Sequence, residues 1–211
     1  MAHVVLLGDS IFDNARYVPS GRSVVEHLQR ALPGGWRATL LAVDGSVAAD
    51  VVEQLDRLPA DATHLVVSAG GNDALTHSGT ILFGTAVSFA EVLTRLANIR
   101  GDFERQYSAM LGAVLARGLP TVVCTVYDAI PGLGPAEQTG LCLFNDVILL
   151  EAFHAGVPVI DLRLVCTEAT DYAQSSPIEP SVAGGGKIAR VVSRAIAGSG
   201  DSGVQVSAVF T

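Results

Sequence analysis

The chain has 211 residues, 49 % hydrophobic and 16 % charged, which is enough apolar material for one core and too ordered a composition for general disorder. Thirteen Lys and Arg against 21 Asp and Glu leave a formal net charge of −8, which argues against nucleic acid as a partner. No apolar stretch approaches the roughly 20 residues of a membrane span, and no basic segment precedes a long apolar run near the N-terminus, so neither a membrane span nor a standard secretion signal is expected. The three cysteines, Cys124, Cys142 and Cys166, lack CxxC or metal-ligand spacing. They read as reduced thiols of a cytoplasmic protein rather than as a disulfide framework.

In chain order, short and nearly continuous apolar runs occur at His3 to Gly8, Thr39 to Val43, His64 to Ser68, Thr121 to Val126 and Val157 to Ile160. Runs of this kind predict strands buried on both faces, hence a parallel sheet. Helical spacing lies between them: Ser23 to Leu32; Val51, Leu55 and Leu58 after Ser46; Phe89 to Ile99; Phe103, Tyr107, Met110 or Leu111, and Val114, ending at Gly118-Leu119-Pro120. Leu141 to Ala155 and Ile188 to Ala197 complete the set, with Ser181 a candidate N-cap ahead of the last. The alternation predicts a single α/β domain over residues 1–197, a three-layer α/β/α sandwich with right-handed crossovers. Residues 198–211 read as a C-terminal tail or a late edge strand, whose apolar part leaves pairing with a second copy, a homo-oligomer, open.

In such a sheet, ligands bind beyond the carboxyl ends of the strands. Those ends deliver Gly8-Asp9-Ser10, Asp44-Gly45-Ser46, Gly70-Gly71-Asn72-Asp73, Tyr127-Asp128 and Asp161. A serine at a strand-to-helix turn suits a nucleophile, and the amides of Ser10 and Gly45 with the Asn72 carboxamide suit an oxyanion hole. Taken singly, each residue also reads plainly: Ser10 as a helix cap, Gly45 as a turn glycine, Asn72 as a turn or cap residue. Together and in this order they resemble the SGNH, or GDSL-like, hydrolases, whose blocks stand here as Gly8 to Ser10, Gly45, and Gly70 to Asp73. The resemblance implies a flavodoxin-like five-stranded parallel sheet, Ser10 as nucleophile, Gly45 and Asn72 as oxyanion donors, and hydrolysis of a small or medium acyl ester through an acyl-enzyme. It implies no cofactor and no metal.

The segment Ser176 to Ala189 is similar to the family's last block, an Asp-x-x-His-Pro-Ser stretch opening the final helix. Aligning Pro180-Ser181 puts Glu179 where the catalytic histidine belongs and Ser176 where its orienting aspartate belongs. Three readings stay open. Glu179 is the base, starting about 3 kcal/mol behind an imidazole because its ordinary pKa lies about two units lower. Alternatively His77, in a Thr-His-Ser-Gly loop at the catalytic edge, supplies the imidazole. In the third, the cavity keeps its oxyanion hole and serves slow catalysis, acyl transfer or ligand binding. Asp9 and Asp13 read as supports of the nucleophile turn. Asp128, Asp161 and Asp171 follow no metal-ligand template, and Gly184-Gly185-Gly186-Lys187 lacks the spacing of a phosphate loop.

Overall fold

The computed structural model describes residues 2–198 and 209–210. Strands β1 (His3–Gly8), β2 (Arg37–Leu40), β3 (His64–Ser68), β4 (Thr121–Cys124) and β5 (Val159–Ile160) form a parallel sheet in the order β2-β1-β3-β4-β5. A separate antiparallel pair, β6 (Tyr172–Ala173) and β7 (Ser176–Pro180), follows, and β8 (Val209–Phe210) adds to the main sheet beside β5. Part of the segment read as a tail is thus an edge strand; residues 199–208 and 211 lie outside the described residues.

In β1, β3, β4 and β5 the continuous apolar runs are explained by two-sided burial; the strand expected at Thr39 to Val43 is instead β2, shifted to Arg37–Leu40 and only partly covered at the sheet edge. Val5, Leu7, Leu65 and Val67 point into one core with Phe103, Tyr107, Met110 and Phe144, while Val4, Leu6 and Val66 point into the other with Leu28, Ile188 and Val192. Each fully buried aliphatic side chain contributes roughly 1.5–3 kcal/mol, so the sheet is stabilised from both faces. The layers are α1 (Val24–Ala31) with α6 (Val182–Gly198) on one side, and α2 (Val51–Gln54), α3 (Gly71–Phe83), α4 (Phe89–Leu115) and α5 (Pro135–His154) on the other.

Several predicted boundaries are corrected. The two helices expected within residues 89–115 are one, because the buried stripe Ile99, Phe103, Tyr107, Met110, Leu111 and Val114 outweighs the cost of Gly101 in its interior, about 1 kcal/mol. The helix expected at Ser23 begins at Val24, where Ser23 and Glu26 form a capping box. The α5 helix starts earlier than expected because Pro135, at the first helical position, suits a helix start. The α6 helix also starts earlier, at Val182: the Ser181 hydroxyl accepts from the N–H groups of Ala183 (3.1 Å) and Gly184 (3.2 Å). Its glycines reflect close approach, since a Cβ at Gly184 would lie 2.1 Å from the Asp171 carbonyl oxygen. The stretch around Val51 to Leu58 is a short α-helix followed by a 3-10 turn, Leu55–Arg57.

Candidate active site

The turn that carries Ser10 is built at the end of β1. Gly8 has φ +121°, and a Cβ there would meet the Ser68 carbonyl oxygen at 1.7 Å, so no other residue fits against β3. The buried Gln54 carboxamide grips Gly8 on both sides, accepting its N–H at 2.8 Å and donating to its carbonyl at 2.7 Å. Asp9 then ties the turn down: its side chain accepts from Ile11 N–H, and its carbonyl from the N–H groups of Phe12 and Asp13, all at 3.1 Å. The Ser10 N–H is not among these donors. The turn does not open an α-helix, contrary to expectation, because Asp9 closes it locally and the next α-helix starts only at Val24. Any support for negative charge at Ser10 therefore comes from individual amides rather than from a helix dipole.

The second loop stands beside it. Gly45 has φ +87°, the conformation that lets the chain turn out of β2. Asp13 holds this loop by accepting the Asp44 N–H at 3.0 Å, and Asn72, in the first turn of α3, donates to the Ser46 carbonyl at 2.9 Å. Asp73, next along α3, accepts the Ala48 N–H at 3.0 Å. Gly45 itself is exposed and does not line the cavity described below; it is joined to Asn72 through Ser46.

Glu179 arrives from the β6–β7 hairpin, 3 % exposed. The residues on either side are fastened: Tyr127 donates its hydroxyl to the Ile178 carbonyl at 2.7 Å, and Asn14 donates to the Pro180 carbonyl at 3.0 Å while accepting the Val24 N–H at 2.9 Å. Burial raises the Glu179 pKa, the Ser10 hydroxyl beside it pulls the other way, Asp44 adds to the rise and Arg16 opposes it. Its Oε2 is buried without a hydrogen-bond partner. Asp9 is pushed up to about 8, chiefly by burial, against the Ile11 N–H and with help from Glu179 and Asp73. At neutral pH Asp9 is therefore mostly uncharged, which spares Glu179 a second negative neighbour.

Ser10, Asn72 and Glu179 line one cavity, together with Asp9 and Tyr127. It is open to solvent at its mouth, and most of its remaining wall is apolar. His77 is elsewhere: it lies within α3 rather than in a loop, its ring stacked on Phe144 at 6.3 Å, and it does not line the cavity. The run from Gly71 to Phe83 is helical because its spacing sets Ala74, Leu75, Ser78, Ile81 and Leu82 along one face. Asp161 is bonded to Thr125 and Arg163, and Asp171 to Lys187, both outside the cavity. Among the described residues, no group of three or more His, Cys, Asp or Glu could hold a metal ion. Also among them, no helix is long and apolar enough to cross a membrane, and all three cysteines are free.

Gln54, Asn14 and Tyr127 escape sequence reasoning, because each acts through a partner 46, 166 or 51 residues away. The hairpin that carries Glu179 left no signal either, because its two-residue link, Gln174-Ser175, holds none of the glycine-containing pairs that favour a tight hairpin turn.

The model of the GDSL-like lipase/acylhydrolase family matches residues 6–185. The chain belongs to that family. Among solved structures, this family member is similar to an extracellular lipase from Streptomyces rimosus, at TM-score 0.64 and 19 % identity over 92 % of this chain and 100 % of that one. It is also similar to a phospholipase A1 from Streptomyces albidoflavus (0.62, 19 %, 92 % and 99 %) and to an acetyl xylan esterase from Geobacillus stearothermophilus (0.64, 17 %, 92 % and 94 %). At these identities the likeness concerns the fold. No curated protein matches the sequence.

Proposed function

We propose that the protein is a serine ester hydrolase that works through a Ser10 acyl-enzyme, with Glu179 as general base. The observation that carries this reading is the shared cavity, which brings a hydroxyl, a carboxamide and a buried carboxylate together in apolar surroundings. Ser10 Oγ attacks the ester carbonyl carbon as its proton passes to Glu179, and the carbonyl electron pair moves onto oxygen. The Ser10 amide and Asn72 Nδ2, both at the cavity, stabilise that oxyanion, while Gly45, outside the lining, shapes the loop whose Ser46 carbonyl holds Asn72. Collapse breaks the bond to the leaving oxygen, which takes the proton from Glu179; water then repeats the sequence and releases the acid. A carboxylate starts about 3 kcal/mol behind imidazole as a base, and the burial that raises the Glu179 pKa recovers part of this. Unlike a histidine, a carboxylate has no tautomer to fix, which fits a serine at position 176 in place of an orienting aspartate.

A fluorophosphonate probe tests the nucleophile. Wild type is labelled and Ser10→Ala is not; labelling that persists in the variant removes Ser10 from its role. A second reading, ligand binding or acyl transfer in the same cavity, is favoured by the replacement of the family's histidine and aspartate by Glu179 and Ser176. Absence of Ser10-dependent p-nitrophenyl acetate turnover between about pH 5 and pH 9 supports it over hydrolysis. Acceptor-dependent product with little hydrolysis identifies a transferase.

A further inference from the structure

The cavity lining extends along α3 from Gly71 to Leu82 and along α5 from Glu137 to Phe144, so two helices set its course. A Cβ at Gly70, next to the start of α3, would lie 3.1 Å from Ile148 of α5; His77 in mid-helix stacks on Phe144; a Cβ at Gly140 would lie 3.5 Å from Ile81, near the end of α3. Residue numbers rise along α3 as they fall along α5, so the two helices pack antiparallel, and the cavity runs along the face they share, closed by Tyr127, Ile130 and Leu133. Asn72 marks the end beside Ser10, and Ile81, Leu82 and Gly140 mark the other. Ten residues separate Asn72 from Leu82, about 15 Å of helix.

The wall between those ends comes from Ala74, Leu75, Leu141 and Phe144. The one hydroxyl on this face of α3, that of Ser78, is turned back onto the Leu75 carbonyl at 2.7 Å. A sugar or peptide-like acyl group would bury polar atoms there without partners, whereas a methylene chain has nothing to satisfy. Glu137, one turn before Gly140 on α5, also lines the cavity and disfavours a chain that ends in a carboxylate. Glu179, which protonates the leaving oxygen, is influenced by Asp44 and Arg16, and that pair is bonded at 2.8 Å with Arg16 well exposed. The leaving alcohol therefore belongs on that charged, open side, and the acyl chain along α3.

We infer that the groove between α3 and α5 is a length-reading site for one unbranched, uncharged acyl chain, with Ser78 and Gly140 as specificity-determining residues. This inference rests on the acyl-enzyme reading. With C–C bonds of about 1.5 Å, an extended chain advances about 1.25 Å per carbon, so the groove holds about twelve carbons. Beyond Leu82 the helix faces solvent, with Phe83 82 % exposed, so further carbons gain little. A side chain added at Ser78, about 9 Å from Asn72, blocks the groove after about seven carbons, and one added at Gly140, opposite Ile81, after about eleven.

The test measures kcat/KM for p-nitrophenyl esters from acetate to hexadecanoate in wild type, Ser78→Leu, Gly140→Leu and the milder Gly140→Ala. In wild type the value climbs by up to about fourfold per methylene and levels off near twelve carbons. Ser78→Leu and Gly140→Leu lower the dodecanoate-to-acetate ratio by at least about 100-fold, with the Ser78 variant cutting off at shorter chains. A ratio unchanged in both variants, or length dependence found in alkyl acetates instead of acyl esters, overturns the inference while leaving the esterase reading intact. If no ester is turned over, calorimetry with 2-alkanones on Ser10→Ala decides the groove separately. Affinity that rises with ketone length and is clipped by Ser78→Leu upholds the groove, and length-independent affinity overturns it.

Discussion

Replacing Asp9 by asparagine should flatten the pH dependence of stability. Asp9 is 2 % exposed, and burial pushes its carboxyl from an ordinary 3.8 to about 8, with Glu179 and Asp73 adding to the rise and the Ile11 N–H opposing it. Because the pKa is raised on folding, the native state keeps a proton that the unfolded chain releases. The contribution of this group is therefore fully present below about pH 4 and is lost progressively as pH climbs to about 8. Each unit in that window costs about 1.4 kcal/mol, so about 3 kcal/mol disappears between about pH 5 and pH 7. Asparagine still accepts from Ile11 N–H but cannot ionise. Urea unfolding at fixed ionic strength, at pH 5, 6 and 7, should show wild type losing about 3 kcal/mol more than Asp9→Asn over this range. Burial also raises Glu179 and Asp73, so the variant keeps a weaker slope of the same sign. Parallel curves for the two proteins would refute the reasoning.

Two further substitutions probe the supports of the site. Gln54→Ala leaves both the N–H and the carbonyl of Gly8 without their partner, which should cost about 2–5 kcal/mol in chemical unfolding; a loss below about 0.5 kcal/mol would show that the turn holds without it. Tyr127→Phe removes the bond to the Ile178 carbonyl, and should cost only about 1 kcal/mol of stability yet lower kcat at least tenfold with KM little changed, because Glu179 loses its fixed position. An unchanged kcat would remove Tyr127 as a positioning residue.

Much of the sheet could be read because burial on both faces leaves an unbroken apolar run, as Val4 to Leu7 show. That Ser10 and Asn72 share one edge was legible for a related reason: in a parallel sheet every strand delivers its loop to the same edge. What escaped depends on contacts made across the chain. The Phe103 to Val114 stripe fuses two expected helices into one, and the hairpin carrying Glu179 is held by Asn14 and Tyr127, whose partners are remote in sequence. The expected His77 loop became helix because its neighbours Ala74, Ser78 and Ile81 form one face, a pattern visible in the sequence but masked by the glycine at position 79.

The central claim is that Glu179 draws the proton from Ser10, and the rate of fluorophosphonate labelling as a function of pH tests it most directly. In wild type the rate should rise with pH through a carboxylate pKa lifted above 4.5 and then level off. In Glu179→Gln it should be at least about 100-fold slower at the plateau and lack that inflection. Equal rates with the same profile in both proteins would contradict the account.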